Sequence, residues 1–216
     1  IINLVNGTQG ISFRHCIIAL TEATESFRSR LRSSSVDIFE LGKRPGKDFA
    51  AYMRFFGLVR RLRPSILHTR NMGTLDCAVV GRLAGTKVCV HGEHGWDIHD
   101  PDGTNAKYRR MRRIANNFVT RFITVSDDLR EWMVESVGVP AQKVIHVCNG
   151  VDTDRFRSGL DGQAWRTRFG IKDQPTLLTV ARLVDWKGHE MVLRALPAVL
   201  QSVPDAHYLI AGSGPY

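Results

Sequence analysis

Three polar loops in this sequence gather residue types that can handle a proton, grip an oxygen or neutralise an anion. The densest is His91-Gly92-Glu93-His94-Gly95-Trp96-Asp97-Ile98-His99-Asp100, directly after the apolar run Val88 to Val90. An imidazole there can hydrogen-bond a hydroxyl or move a proton near neutral pH, and the indole can stack on a sugar face. The glycines let the backbone approach a ligand closely. Two other readings stay open. One is a metal held by His91, His94 and an aspartate, although H-x-x-H on a loop lacks the fixed geometry of a helical pair. The other is a loop whose polar groups only satisfy one another. The second loop, Ala181-Arg182-Leu183-Val184-Asp185-Trp186-Lys187-Gly188, leads from a strand into a helix. Arg182 and Lys187 beside the free N–H groups of a helix start suit an anion, and two cations are what a departing diphosphate needs. On spacing alone they equally fit ordinary surface charges. The third loop, Gly212-Ser213-Gly214-Pro215, either contacts a nucleotide or simply turns the chain. Asp100-Pro101-Asp102 and Asp152-Thr153-Asp154 match the D-x-D pattern of metal-dependent sugar transferases. So short a pattern recurs by chance, and no metal ligand is assigned.

Loops of this kind are carried at the ends of strands, and the chain alternates short apolar runs with segments of helical period. Strands are expected at Arg14 to Leu20, Val36 to Leu41, Ile66 to His68, Val88 to Val90, Phe122 to Val125, Val144 to Val147, Thr176 to Val180 and Tyr208 to Ala211. Helices are expected between them. One is capped by Asp48 and stops before Pro64; another is capped by Ser126. Repeated strand–helix–strand units imply an α/β fold with a parallel sheet covered by helices. Asp152 to Gly170 is polar and weakly periodic, so it reads as a connection. The expected division is a first Rossmann-like domain over 1–152, then a linker and the start of a second such domain over 153–216. Ligands of open parallel sheets bind at the carboxyl ends of the strands, which is where all three loops fall.

Composition narrows the partners. The 216 residues are 43% hydrophobic and 24% charged, ordinary for a globular protein. No run approaches the roughly 18 apolar residues of a membrane-spanning helix, and no signal peptide is recognisable at Ile1. The four cysteines, Cys16, Cys77, Cys89 and Cys148, form no C-x-x-C pair, and three lie in apolar runs. Buried free thiols are expected. Thirty Lys and Arg against 21 Asp and Glu give a net charge of +9, which favours an anionic partner. Lys107, Arg109, Arg110, Arg112 and Arg113 crowd one segment, either a solvated helix face or a patch for anionic lipid or ligand. Without a recognition motif or an aromatic platform, a nucleic acid is not expected.

Taken in order, "HTRN" (His68 to Asn71), "HGEHGWD" (His91 to Asp97), "ITVSDDL" (Ile123 to Leu129), "NGVDTDRF" (Asn149 to Phe156), "VARLVDWKG" (Val180 to Gly188) and "IAGSGP" (Ile210 to Pro215) resemble glycosyltransferase family 4. They resemble in particular the bacterial subgroup associated with PEP-CTERM/exosortase and exopolysaccharide loci. The resemblance implies a GT-B fold, two Rossmann-like domains facing each other across a cleft, with acceptor on the first and nucleotide sugar on the second. It places Arg182 and Lys187 on the donor diphosphate, and Gly212 and Gly214 on the nucleotide side. His94 falls beside the transferred sugar, with His91 the alternative register, while His68, Arg70, Asn71, Trp96 and Asp97 fall on the acceptor side. It further implies a retaining, metal-independent hexosyltransferase without a cofactor, in which a nucleoside diphosphate sugar is co-substrate. The acceptor would be a glycan or a lipid-linked molecule, and the location the cytoplasm, peripheral to the inner face of the membrane. The family's opening strand with its glycine turn and its E-x7-E pair have no counterpart here, so little activity is expected of this stretch alone. A non-catalytic scaffold or sugar-binding component of polysaccharide assembly is the alternative.

Overall fold

The computed structural model describes residues 1–8, 13–32, 36–46, 48–97 and 99–215; Ile98 of the histidine-rich loop and Tyr216 lie outside it. The chain divides into two compact units, Ile1–Gly150 and Val151–Tyr216, two residues ahead of the boundary read from sequence. The first unit runs α1 (Ile2–Gly7), β1 (Cys16–Ala19), α2 (Glu25–Arg28), β2 (Asp37–Glu40), α3 (Phe49–Leu62), β3 (Ile66–Arg70), α4 (Leu75–Leu83), β4 (Val88–Glu93), α5 (Ala106–Ala115), β5 (Arg121–Thr124), α6 (Asp127–Glu135) and β6 (Val144–His146). The second holds α7 (Gln163–Arg168), β7 (Thr176–Val180), α8 (His189–Ser202) and β8 (His207–Ala211). Among the described residues the named strands all pair in parallel: β1 with β2, then β3-β4-β5-β6 as one four-stranded sheet, and β7 with β8.

Local chemistry explains the element ends. Asp48 Oδ1 accepts the Ala51 N–H at 3.0 Å and starts α3. That helix turns Ala51, Phe55, Leu58 and Val59 inward and closes at Arg63, in the left-handed conformation just before Pro64. Ser126 Oγ accepts the Leu129 N–H and starts α6. Phe55, Leu58 and Val59 pack with Cys77 of α4, Leu67 of β3 and Ile18 and Phe39 of the first strand pair, so one apolar cluster ties that pair to the larger sheet. A second cluster, Ala78, Val119, Phe122, Met133, Val137, Val139 and Val144, lies under the other half of the sheet.

Three expectations need correction. Strand β4 continues through His91, Gly92 and Glu93, so the histidine-rich loop begins three residues later than the apolar run indicates. The connection over 152–170 contains the short helix α7. Cys77 and Cys89 are buried free thiols, but Cys16 and Cys148 are exposed: Cys16 opens β1 and Cys148 lies two residues past the end of β6, where the core no longer covers them.

Candidate functional site

Side chains alternate along β4, and its register with β3 fixes what each one meets. Thr69 lies opposite His91 and Arg70 opposite Gly92. On one face Thr69 Oγ1 and His91 Nδ1 are 2.8 Å apart, and His91 Nε2 is 3.5 Å from Glu93 Oε1. Arg112 reaches in from α5 and donates from Nε to Glu93 Oε1 at 2.6 Å and from Nη2 to Oε2 at 3.1 Å. Its guanidinium sits 5.0 Å from the centre of the Trp132 ring of α6, and Trp132 Nε1 donates to the Gly103 carbonyl at 2.9 Å. Burial pushes the Glu93 carboxyl up, but the adjacent His91 imidazole and the hydrogen bonds from Arg112 outweigh it and hold the group below the usual carboxylate range. At 3% exposure, Arg112 leaves the basic surface patch that its neighbours in sequence suggested. Its charge is spent inside the protein.

The other face is arranged differently. A methyl group added at Gly92 would lie 2.5 Å from His94 Nε2 and 3.4 Å from His68 Nε2, so the missing side chain is the seat of the His94 ring. Neither His94 ring nitrogen has a hydrogen-bond partner among the described residues, and both are shielded from solvent. Asn71 secures the backbone beneath: its N–H donates to the Gly92 carbonyl at 2.7 Å and its Oδ1 accepts the His94 N–H at 2.9 Å. Asn71 does this at φ 57° and ψ 172°, a conformation usually left to glycine that costs about 1–3 kcal/mol. Crowding by protein atoms, then the Arg70 guanidinium, lowers the His94 pKa. The same two causes, followed by His94, take His68 down to about 4, although that residue keeps an exposed edge. Both rings are therefore neutral at pH 7 and can donate and accept.

His68, Arg70, Asn71 and His94 thus converge at the ends of β3 and β4. Trp96 and Asp97 lie a step away, on a shallow surface to which Glu93, Gly95, Arg112 and Trp132 also contribute. Trp96 is 43% exposed and meets Trp132 edge-on at 5.3 Å, and Asp97 Oδ1 accepts the His99 N–H at 2.9 Å. The two histidines of the H-x-x-H spacing belong to opposite faces of the strand. His91 is fully buried, 2.8 Å from Thr69 Oγ1 and 3.5 Å from Glu93 Oε1.

In the second unit, Arg182 is exposed, with its guanidinium 5.8 Å from the Trp186 ring centre. Its carbonyl is 2.9 Å from His189 Nε2 at the start of α8. Lys187 ends the single 3₁₀ turn Asp185–Lys187 that leads into α8 and is exposed. No side chain caps that helix, which leaves its first N–H groups available. Gly212 and Gly214 have a packing reason of their own. Leu183 N–H donates to the Ser213 carbonyl at 3.0 Å, and methyls added at Gly212 and Gly214 would collide with the Ala181 and Leu183 carbonyl oxygens. Only glycine allows these two backbones to touch, and the contact lays the Gly212–Pro215 turn along the Arg182 loop.

Residues 1–155 match the sequence profile of Glycosyltransferase Family 4, and residues 161–216 match that of Glycosyl transferases group 1. The chain belongs to glycosyltransferase family 4. This family 4 chain is 35% identical over 145 residues to the GDP-mannose-dependent alpha-(1-6)-phosphatidylinositol monomannoside mannosyltransferase of Mycolicibacterium smegmatis, a match covering 63% of the chain and 35% of that relative. It is 25% identical over 175 residues to the UDP-Gal:alpha-D-GlcNAc-diphosphoundecaprenol alpha-1,3-galactosyltransferase of Escherichia coli, covering 78% and 45%. The chain therefore spans less than half the length of these curated relatives. Its fold matches that of Anabaena Alr3699/HepE, crystallised with UDP and glucose, with a TM-score of 0.73 at 19% identity over 99% of this chain and 57% of that one. The architecture is of GT-B type.

In this family 4 chain, sequence reasoning missed Thr69, Gly92, Glu93, Arg112 and Trp132. A period of two through His91-Gly92-Glu93 is the signal that separates the faces. The pairing of Glu93 with an arginine 19 residues later leaves no local trace.

Proposed function

We propose that the protein carrying this chain transfers a hexose from a nucleoside diphosphate sugar to a lipid-linked or polysaccharide acceptor. The reaction runs with retention, needs no bound metal or cofactor, and serves bacterial exopolysaccharide synthesis at the inner face of the cell membrane. The observation that carries this reading is His94, held on a glycine seat with neither ring nitrogen hydrogen-bonded among the described residues. A neutral imidazole there can accept from or donate to a sugar hydroxyl. His68, Arg70 and Asn71 beside it, with Trp96 and Asp97 on the adjoining surface, take the acceptor. In the second unit Arg182, Lys187 and the uncapped start of α8 take the diphosphate, whose negative charge grows as the glycosidic bond breaks. Gly212 and Gly214 keep the nucleotide-side turn close to Arg182. The relatives named above support the class: one is described as using GDP-mannose, the other UDP-Gal with a diphosphoundecaprenol-linked acceptor.

The test is made in the full-length protein. Arg182→Ala with Lys187→Ala is expected to weaken nucleotide-sugar binding by about 10- to 100-fold, as two charge-assisted contacts are lost. His94→Ala is expected to cut turnover by at least about 100-fold with donor affinity nearly kept. Because the His94 pKa is lowered, the acid limb of the wild-type rate should fall only below pH 6.5, the ordinary histidine value. Full turnover by His94→Ala would end the proposal.

Attachment to the membrane is assigned to α5. Lys107, Arg110 and Arg113 are exposed and Arg109 is half-buried, while Met111 and Ile114 present apolar surface among them at 38% and 53% exposure. Among the described residues no helix is long and apolar enough to cross a bilayer. A basic helix face with protruding apolar residues suits an anionic surface, each cation contributing about 1 kcal/mol. Binding to phosphatidylglycerol vesicles is expected to weaken steeply between low and high salt; salt-independent binding would refute this role.

A further inference from the structure

Away from His94, at the carboxyl end of β6, three side chains stand in line. Cys148 Sγ is 3.3 Å from His146 Nε2, and His146 Nδ1 is 2.9 Å from Asp127 Oδ1. Asp127 is the first residue of α6, and His146 lies opposite Thr124, the last residue of the neighbouring strand β5. The fold itself therefore brings the carboxylate to the imidazole. A carboxylate on Nδ1 keeps the proton on that nitrogen and leaves Nε2 as a bare acceptor aimed at the thiol. A nucleophile beside a base that is itself oriented by a third group is the geometric signature of an activated side chain. Cys148 is exposed, so a small reagent reaches it directly.

We propose that Cys148, with His146 as its base and Asp127 as the orienting carboxylate, is a reactive thiol that hydrogen peroxide oxidises to a sulfenic acid. The thiol proton passes to His146 Nε2 as Sγ attacks one peroxide oxygen. The S–O bond forms and the O–O bond breaks; sulfur loses two electrons and the peroxide gains them. The departing hydroxide takes the proton back from His146 and leaves as water, so the imidazole is restored. The carboxylate of Asp127 stabilises the imidazolium that exists in between. No part of this chemistry depends on sugar transfer.

The other three cysteines supply the contrast within one molecule. Cys16 is also exposed, but it faces Asp37 across the β1–β2 pair. Crowding and then that carboxylate push its thiol up. Burial, then Asp76, pushes Cys77 up to about 12, and burial raises Cys89. Nucleophilic attack needs the thiolate, which these surroundings oppose. Exposure alone would make Cys16 and Cys148 equivalent; what separates them is the carboxylate of Asp37 facing Cys16 and the imidazole of His146 facing Cys148.

The full-length protein, reduced and then treated with one equivalent of hydrogen peroxide, is trapped with dimedone, and the adduct on each cysteine is quantified by mass spectrometry. Cys148 is expected to label at least about 10-fold faster than Cys16. His146→Gln should slow Cys148 labelling by about 10-fold or more and leave Cys16 unchanged, and Asp127→Asn should slow it by a smaller factor. The Asp127 side chain is 70% exposed, so that variant keeps the fold and the question answerable if His146→Gln does not. Equal labelling of Cys148 and Cys16, or an unchanged Cys148 rate in Asp127→Asn and His146→Gln, overturns the proposal.

Discussion

The two faces at the end of β4 are made from four consecutive residues, yet they follow opposite rules. Toward α5 and α6, His91, Glu93, Arg112 and Trp132 are closed around one another by an ion pair, a hydrogen bond and a ring contact. Toward β3, Gly92 leaves room, and the His94 imidazole occupies it with neither nitrogen engaged. A polar group shielded from solvent and left unpartnered is costly. The first face still leaves His91 Nε2 and Arg112 Nη1 without a hydrogen bond, but it ties both side chains to Glu93, whereas neither nitrogen of the His94 ring has a partner among the described residues. The locked face ties the strand to α5, and the open face leaves the His94 ring untied. Asn71 belongs to both, since it holds the strand by its backbone and the His94 backbone by its side chain.

If the faces differ in this way, breaking the locked one should first cost stability. Arg112→Met keeps the length of the side chain but strands the Glu93 carboxylate, which is 1% exposed. Leaving one member of a buried pair uncompensated costs about 3–5 kcal/mol. Adding Glu93→Gln to Arg112→Met should recover part of that loss, because an amide tolerates burial better than a carboxylate. Urea unfolding of the three proteins measures both effects. An Arg112→Met variant within about 1 kcal/mol of wild type would mean that the pair braces nothing.

The alternation of strands and helices, the Asp48 and Ser126 caps and the stop before Pro64 are all legible in the sequence, because each is set by residues within a few positions of one another. The inward face of α5 is not. Met111 and Ile114 are its large apolar residues, and they point outward, while Arg112 and Ala115 are the buried ones. Helical period tells which residues share a side; it does not tell which side faces in when the buried position is charged and its partner comes from a distant strand. That His91 and His94 belong to opposite faces is read only from the register of β4 against β3. The short α7 escapes notice because it makes under two turns and its sequence, QAWRTR, shows no apolar stripe. Gly212 and Gly214 were legible as a turn, but the backbone contact that demands them was not, because it joins segments about 30 residues apart.

The open face is probed by filling its seat. Gly92→Ala adds the methyl that would stand 2.5 Å from His94 Nε2, and the ring must swing away, since it is a side chain and the strand backbone is fixed by β3 and β5. Alanine is at home in a strand, so the melting temperature should change little. Turnover should fall by about 10- to 100-fold, the effect of a group displaced by about 1 Å from its working position. A double-mutant cycle isolates the cause. If Gly92 acts only through the imidazole, then Gly92→Ala made in a His94→Ala background removes nothing further, and the two changes are fully non-additive. Additive losses would show that Gly92 matters for a reason other than His94, such as the approach of substrate to the backbone. Unchanged turnover in Gly92→Ala alone would show that the ring need not rest where it is found, and the distinction between a locked face and an open one would lose its functional meaning.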